Sequence, residues 1–139
     1  MKELFASQKL AVLATHNEKQ SYASLVAFAS TADLKQLLFA TTRATRKYAN
    51  LAANPNVALL IDNRSNRETD FHKAVAATAT GKTTEVGTRE RTRLLKLYLG
   101  KHPHLREFVS SPNCALLKVK VDSYFVVNRF QNVMELRPR

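Results

Sequence analysis

Cysteine and glycine are scarce in this sequence, and long apolar runs are missing. Cys114 is the only cysteine among 139 residues, so no disulfide can form within the chain. The three glycines, at positions 81, 87 and 100, are too far apart to form a glycine-rich phosphate loop. No stretch approaches the roughly 18 apolar residues that a membrane-spanning helix needs. We therefore expect a reduced, cytoplasmic protein without a membrane span.

Acidic residues are also in the minority. The chain has 22 Lys and Arg against 11 Asp and Glu, a net charge of +11. Residues 71–139 hold 13 of the basic side chains and only five acidic ones. This balance favours anionic partners such as phosphates, nucleic acid or acidic membrane surfaces. The length and the 45% content of hydrophobic residues predict a single domain over residues 1–139 with a real core.

Short β-rich runs dominate the pattern along the chain. Strands are predicted at 10–15, 22–30, 37–41, 57–61, 74–85 and 115–127, the last as one long strand or two consecutive ones. The run 57–61 is apolar without a break, which is typical of a strand covered on both faces. Gly81 marks a bend or bulge within its strand.

Two segments have helical periodicity. A helix of about three turns begins after residue 42 and ends before Pro55. A second helix covers 88–100, where His102-Pro103-His104 interrupts it, and a short helix follows through residue 108. Strands outnumber helices and do not alternate with them regularly, which argues against a doubly wound sheet. We therefore predict a mainly β fold, an antiparallel β-barrel with helices, because barrel closure removes exposed strand edges.

The segment 39–47 carries the clearest chemistry, because a strand ends there and a helix begins. Free backbone N–H groups at a helix N-terminus favour an anion. The segment adds two hydroxyls, a guanidinium and an ammonium within about one turn. This composition favours a phosphate site. The alternative is an ordinary solvated helix start with a capping threonine, although cations are unfavourable there unless an anion is present.

Four short pieces of the chain occur in a recognisable order. They are Tyr22-Ala23-Ser24-Leu25-Val26-Ala27, Phe39-Ala40-Thr41-Thr42, Thr45-Arg46-Lys47 and Asn54-Pro55-Asn56-Val57-Ala58-Leu59. Their order and spacing resemble the pyridoxamine 5′-phosphate oxidase-like family of FMN-binding split barrels, and the likeness runs from about Leu10 to Val127. It implies an antiparallel split β-barrel of the flavin-binding type. It also implies a homodimer with flavin mononucleotide (FMN) at the subunit interface and a small-molecule substrate.

The resemblance further implies which residues bind the cofactor. One strand would lie along the isoalloxazine ring, the next strand end near the ribityl chain, and the Ser/Thr-Arg-Lys piece around the phosphate. The residues at these positions are Ala23, Ser24, Leu25 and Val26; Ala40, Thr41 and Thr42; and Thr45, Arg46 and Lys47.

The sequence departs from the oxidase that gives the family its name. That enzyme carries Arg-x-His near its C-terminus, whereas residues 128–135 here read Asn-Arg-Phe-Gln-Asn-Val-Met-Glu. Ala27 replaces a lysine, Tyr22 replaces a basic residue, and tryptophan is absent. We therefore do not expect oxidation of pyridoxamine phosphate. The first hypothesis is an FMN-dependent oxidoreductase acting on another small molecule, with no catalytic residue assigned. The second is a non-catalytic flavin-binding or storage protein.

Histidine and cysteine give weaker signals. Of the four histidines only His102 and His104 are close, and Pro103 prevents one helical face from presenting both. We predict no metal site, while a haem-binding role stays open because a branch of the same family uses histidine for haem. Cys114 has no basic neighbour in sequence, so we predict a buried thiol rather than a nucleophile.

A basic region extends from Arg89 to Arg106. It suits nucleic acid or an acidic partner, but its pattern is typical of a solvated helix face without interleaved aromatic residues. Nucleic-acid binding is therefore the third hypothesis.

Overall fold

Antiparallel pairing closes six strands of the chain into a barrel. The computed structural model describes residues 1–130 and 132–138. The strands are β1 (Leu10–His16), β2 (Ser21–Ser30), β3 (Gln36–Thr42), β4 (Asn56–Asp62), β5 (Val75–Glu85), β6 (Cys114–Asn128) and β7 (Asn132–Leu136). Their order is β3-β2-β1-β4-β5-β6, and β6 pairs back to β3. β7 extends the sheet beyond β6. The predicted antiparallel barrel is therefore confirmed.

The helices cover the barrel from outside and at its ends. They are α1 (Lys2–Ser7), α2 (Arg46–Ala53), α3 (Asp70–Lys73), α4 (Thr88–Lys101) and α5 (Arg106–Ser110), with a 3-10 turn at Pro103–Leu105. Among the described residues, each helix is too short or too polar to cross a membrane.

Two hydrophobic cores follow from the alternation of side chains along the strands. The barrel interior contains Leu13, Phe28, Phe39 and Leu59, each fully buried. A second core lies outside the barrel wall, where Leu38 and Leu116 pack against Leu94, Tyr98 and Val109 of α4 and α5. β3 is buried on both faces because it separates these two cores.

Gly81 lies where the pairing of β5 and β6 shifts register. A Cβ atom at this position would collide with the backbone carbonyl of Lys120. The predicted bulge is confirmed, and its physical reason is the close approach of the β6 backbone.

Several elements differ from the sequence predictions. α2 has only eight residues, shorter than about three turns, because the preceding residues form a turn that ends at the N-cap Thr45. β6 is one long strand. β4 is buried on its inner face, but Ala58 and Leu60 on its outer face are only half-buried within one chain. α1, α3 and β7 were not predicted from the sequence.

Candidate functional site

β2 and β3 pair over only three residues and then separate. Phe28, Ala29 and Ser30 pair with Phe39, Leu38 and Leu37. Residues 21–27 of β2 pair with β1, and within the described part of the chain their other edge has no strand partner. Residues 40–42 of β3 pair with β6 instead. The barrel wall is therefore split between the first half of β2 and the end of β3.

All ten predicted cofactor-binding residues border this split. Ala23, Ser24, Leu25 and Val26 lie on the free edge of β2, Ala40, Thr41 and Thr42 lie on β3, and Thr45, Arg46 and Lys47 begin α2. Sequence reasoning thus selected residues from three elements that meet at one end of the barrel.

Hydrogen bonds of Thr45 fix the start of α2. Its Oγ1 accepts from the Tyr48 N–H at 3.2 Å and donates to the Thr42 carbonyl at 3.0 Å. The Thr41 hydroxyl lies 2.9 Å from the same oxygen and acts as the donor in this arrangement. The N–H groups of Arg46 and Lys47 precede the first intrahelical bonds and have no acceptor within the helix. An anion at this corner would therefore meet two free N–H groups and two cationic side chains.

Arg46 is oriented by the residue that replaces the expected cation on β2. Its guanidinium carbon lies 5.7 Å from the ring centroid of Tyr22, which is within the range of a cation–π contact. The contact joins the start of α2 to the free half of β2. Tyr22 therefore adds no charge to this corner. Its ring instead holds the guanidinium of Arg46, which lies on the other side of the split.

α2 is also attached to the end of β1. The side-chain amide of Asn50 donates to the Thr15 hydroxyl at 3.1 Å, and both residues are buried. The Asn54 amide lies 3.0 Å from Nε2 of His16. These contacts fix the direction of the helix, and therefore the direction of its N-terminal N–H groups.

An ion pair secures the turn between β3 and α2. Arg43 Nη1 and Nη2 donate to the two Glu85 carboxylate oxygens at 2.7 and 2.8 Å, and Nη1 also lies 2.9 Å from the Tyr48 hydroxyl. The guanidinium holds the pKa of Glu85 below its ordinary range. The Arg43 N–H donates to the Asn113 carbonyl at 2.8 Å. Sequence reasoning missed this clamp, because its two charged residues lie 42 positions apart.

Ser24 presents an unsatisfied polar atom at the split. Its Oγ is buried and has no hydrogen-bond partner. An unmade hydrogen bond of this kind costs about 1–3 kcal/mol. A ligand atom that reached Ser24 Oγ would remove this cost.

α4 supports the point at which β2 leaves β3. The Tyr98 hydroxyl donates to the Ala27 carbonyl at 3.0 Å, and His102 Nε2 donates to the Phe28 carbonyl at 2.7 Å. Both side chains are almost fully buried. Burial lowers the pKa of His102, so the ring is neutral, with Nε2 as the donor and Nδ1 left without a partner. The ring orders the backbone beside the split.

Cys114 begins β6 directly opposite Thr42. It is buried, as predicted, and burial raises the pKa of its thiol.

Comparisons with known proteins agree with this fold. The model of one family, described as pyridoxamine 5′-phosphate oxidase, matches residues 1–128. None of the curated proteins matches the chain. A solved haem-binding protein from Mycobacterium smegmatis superposes with a TM-score of 0.87 at 15% identity, over 99% of this chain and 56% of its own. The chain thus spans little more than half of that protein.

Two further solved structures match over nearly their full length. A FAD-binding protein from Mesorhizobium loti has a TM-score of 0.70 at 12% identity, over 89% of this chain and 88% of its own. General Stress Protein 26 from Bacillus anthracis has a TM-score of 0.69 at 20% identity, with coverage of 98% and 97%. At such identities the structural likeness shows the fold alone.

Proposed function

Since the chain belongs to the pyridoxamine 5′-phosphate oxidase family, we propose that it binds FMN at the split between β2 and β3 and acts as a flavin-dependent oxidoreductase. The observation that carries this proposal is the meeting of a free strand edge with a cationic helix start. The free N–H groups of α2, with Arg46 and Lys47, would hold the cofactor's phosphate. Residues 23–26 of β2 would hold the isoalloxazine ring.

The residues present fit this cofactor. A phosphate requires donors and positive charge, and the start of α2 offers both. A flat ring requires small and apolar neighbours, which Ala23 and Leu25 supply on the exposed face of β2. Ser24 Oγ is a buried group without a partner, which a polar atom of the flavin would satisfy.

The redox chemistry belongs to the bound flavin, whose ring carries electrons between donor and acceptor. The chain positions that ring and excludes water from one of its faces. None of residues 23–27 ionises, so this strand offers neither a general acid nor a general base. The same observation favours the second candidate, a flavin-binding or storage protein without turnover. Reduction of the bound flavin by NADH or NADPH, followed by reoxidation by a small-molecule acceptor, separates the enzyme from the carrier.

A second copy of the chain is part of the proposal. On the outer sheet face Leu25 pairs with Val12, and Val12 pairs with Leu60. Leu25 is 64% exposed and Leu10, on the same face, 55%. Neighbouring apolar side chains at the surface of several adjacent strands are typical of an interface. The unbroken apolar run of β4 has the same explanation, since a second copy would cover its half-buried outer face. The homodimer would enclose the flavin beside the free edge of β2.

Flavin binding is tested by absorbance of the purified protein after FMN addition and desalting. We expect retained flavin bands and a dimer in sedimentation at micromolar concentration. A protein that loses all added FMN, or that retains haem instead, contradicts the proposal. A monomer that still binds FMN would contradict the proposed dimer interface but not the proposed FMN binding.

The phosphate position is tested with Arg46→Ala combined with Lys47→Ala. Charge-assisted contacts contribute about 1.5–3 kcal/mol each, so we expect FMN affinity to fall by a few kcal/mol. The matched control is Arg67→Ala with Lys73→Ala, which removes two exposed cations distant in sequence from α2. Titration followed by flavin fluorescence measures the FMN affinity of both double variants. Equal FMN affinities would show that the phosphate binds elsewhere.

A further inference from the structure

The basic region on α4 borders a groove that the flavin site does not use. Its volume is about 490 Å³, which falls in the size range of small-molecule sites. The groove runs between α4 and the start of α5. Its lining combines three cations, one hydroxyl and an apolar floor: Arg91, Lys96 and Arg106; Thr92; and Leu95 with Leu99.

The three cations form no direct ion pair among the described residues. α4 has one acidic residue, Glu90, and its carboxylate pairs with Lys118 and with Arg93. These contacts hold the pKa of Glu90 below its ordinary value, Lys118 being the main cause. Within residues 1–130 and 132–138, neither Lys96 nor Arg106 has a carboxylate in ion-pair contact, and Arg91 has none either. Positive charge is therefore concentrated in the groove, and of the three cations Arg91 alone lies near enough to Glu85 to help lower the pKa of that carboxyl.

Arg91 spans the two walls of the groove. It begins on α4, and its Nη2 lies 3.5 Å from the Val109 carbonyl on α5. This contact directs the guanidinium across the gap towards the helix that carries Arg106. Lys96 lies one turn after Thr92, so their side chains share one face of α4.

We propose that this groove binds a nucleoside diphosphate or a similar organic diphosphate. The phosphates contact Arg91, Lys96 and Arg106, whose guanidinium and ammonium groups suit phosphate oxygens. The Thr92 hydroxyl adds a donor. The base lies on Leu95 and Leu99, which give the groove an apolar floor. The site is distinct from the flavin site, because it is built by α4 and α5 rather than by β2, β3 and α2.

A small ligand fits these observations better than a nucleic acid. A single strand needs cations spread along a track and aromatic side chains on which bases stack. Here the cations converge on one groove, and no aromatic residue lines it. Arg89 is exposed on the same helix but lies outside the groove. Its replacement should therefore weaken binding of a nucleic acid and leave binding of a small ligand in the groove unchanged.

The test is calorimetric titration of adenosine 5′-diphosphate into protein already saturated with FMN, so that the start of α2 is occupied. We expect one ADP per chain and weaker binding of inorganic pyrophosphate, which lacks the base. Lys96→Gln with Arg106→Gln should weaken ADP binding by at least about tenfold, because each removes a charge-assisted contact. Arg89→Gln with Lys73→Gln removes the same charge outside the groove and should leave ADP affinity unchanged.

Three results would overturn the proposal. They are the absence of ADP binding, an equal loss of affinity in both double variants, and pyrophosphate binding as tight as ADP. Tight binding of single-stranded RNA that Arg89→Gln weakens as much as Lys96→Gln would assign the region to nucleic acid instead. If the groove variant fails to fold, methyl NMR of the native protein replaces it. ADP must then shift the Leu95 and Leu99 signals, and unchanged signals contradict the site.

Discussion

The two halves of β2 belong to one strand but have different neighbours. Residues 28–30 pair with β3, and Phe28 is fully buried in the barrel. Among the strands that the structure describes, residues 21–27 pair with β1 alone, and Leu25 is 64% exposed. The sequence is largely apolar throughout, so the strand pattern does not distinguish the halves. The difference arises from the partner strand: one half is paired on both edges, and the other keeps a free edge among the described residues.

The largest expected effect contrasts the two halves directly. Phe28→Ala leaves a cavity in a closed core and should cost about 3–5 kcal/mol of unfolding free energy. Leu25→Ala removes an exposed side chain and should change the stability of the FMN-free monomer by about 0.5 kcal/mol or less. Urea unfolding at low protein concentration measures the unfolding free energy of both variants. Similar losses in the two variants would contradict the division of β2.

The second prediction concerns His102, which bonds the carbonyl of Phe28 at the junction of the two halves. Its pKa is lower in the folded than in the unfolded chain, so the unfolded state binds more protons as the pH falls below the ordinary value of 6.5. The charged groups that disfavour its protonation are Lys101, His104 and Lys9. The free energy of unfolding should therefore decrease as the pH is lowered below 6.5.

His102→Gln provides the comparison for that prediction. The glutamine amide can still donate to the Phe28 carbonyl but does not titrate. Chemical unfolding between pH 5 and pH 8 should give a shallower pH dependence for the variant than for the native protein. Identical pH profiles would show that groups other than His102 cause the loss.

Sequence reasoning found the barrel because barrel strands leave local signals. The alternating runs, the proline after α2 and Gly81 each determine backbone geometry over a few residues. The resemblance built on four short pieces is confirmed by the family match over residues 1–128. The candidate phosphate corner also depends on local sequence, since Thr45, Arg46 and Lys47 are consecutive, and it stays a prediction.

The missed features depend on contacts between distant segments. The Arg43–Glu85 clamp joins β5 to the turn before α2, and the His102 bond to the Phe28 carbonyl spans 74 positions. β7 is exposed along its whole length, so its pattern contains no buried face to recognise. The local sequence also does not predict the separation of β2 from β3, because that separation depends on how β3 pairs with β6.

The smallest expected effect concerns the other side of the split from the free half of β2. There the Arg43–Glu85 clamp holds the turn between β3 and α2. Glu85→Gln removes the ion pair but retains one hydrogen bond, and both side chains are partly exposed, so the loss of stability should be small. The pKa of Glu85 is lower in the folded state, so its contribution is complete above the ordinary value of 4.5 and disappears as the pH falls through the folded value. Thermal unfolding should therefore separate native and variant proteins more at pH 7 than at pH 3, and high salt should reduce the difference at pH 7. Glu68→Gln, at an exposed position without an ion pair among the described residues, is the control and should match the native protein at both pH values. A difference at pH 3 as large as that at pH 7 would mean that packing around Glu85, rather than its charge, holds the turn in place.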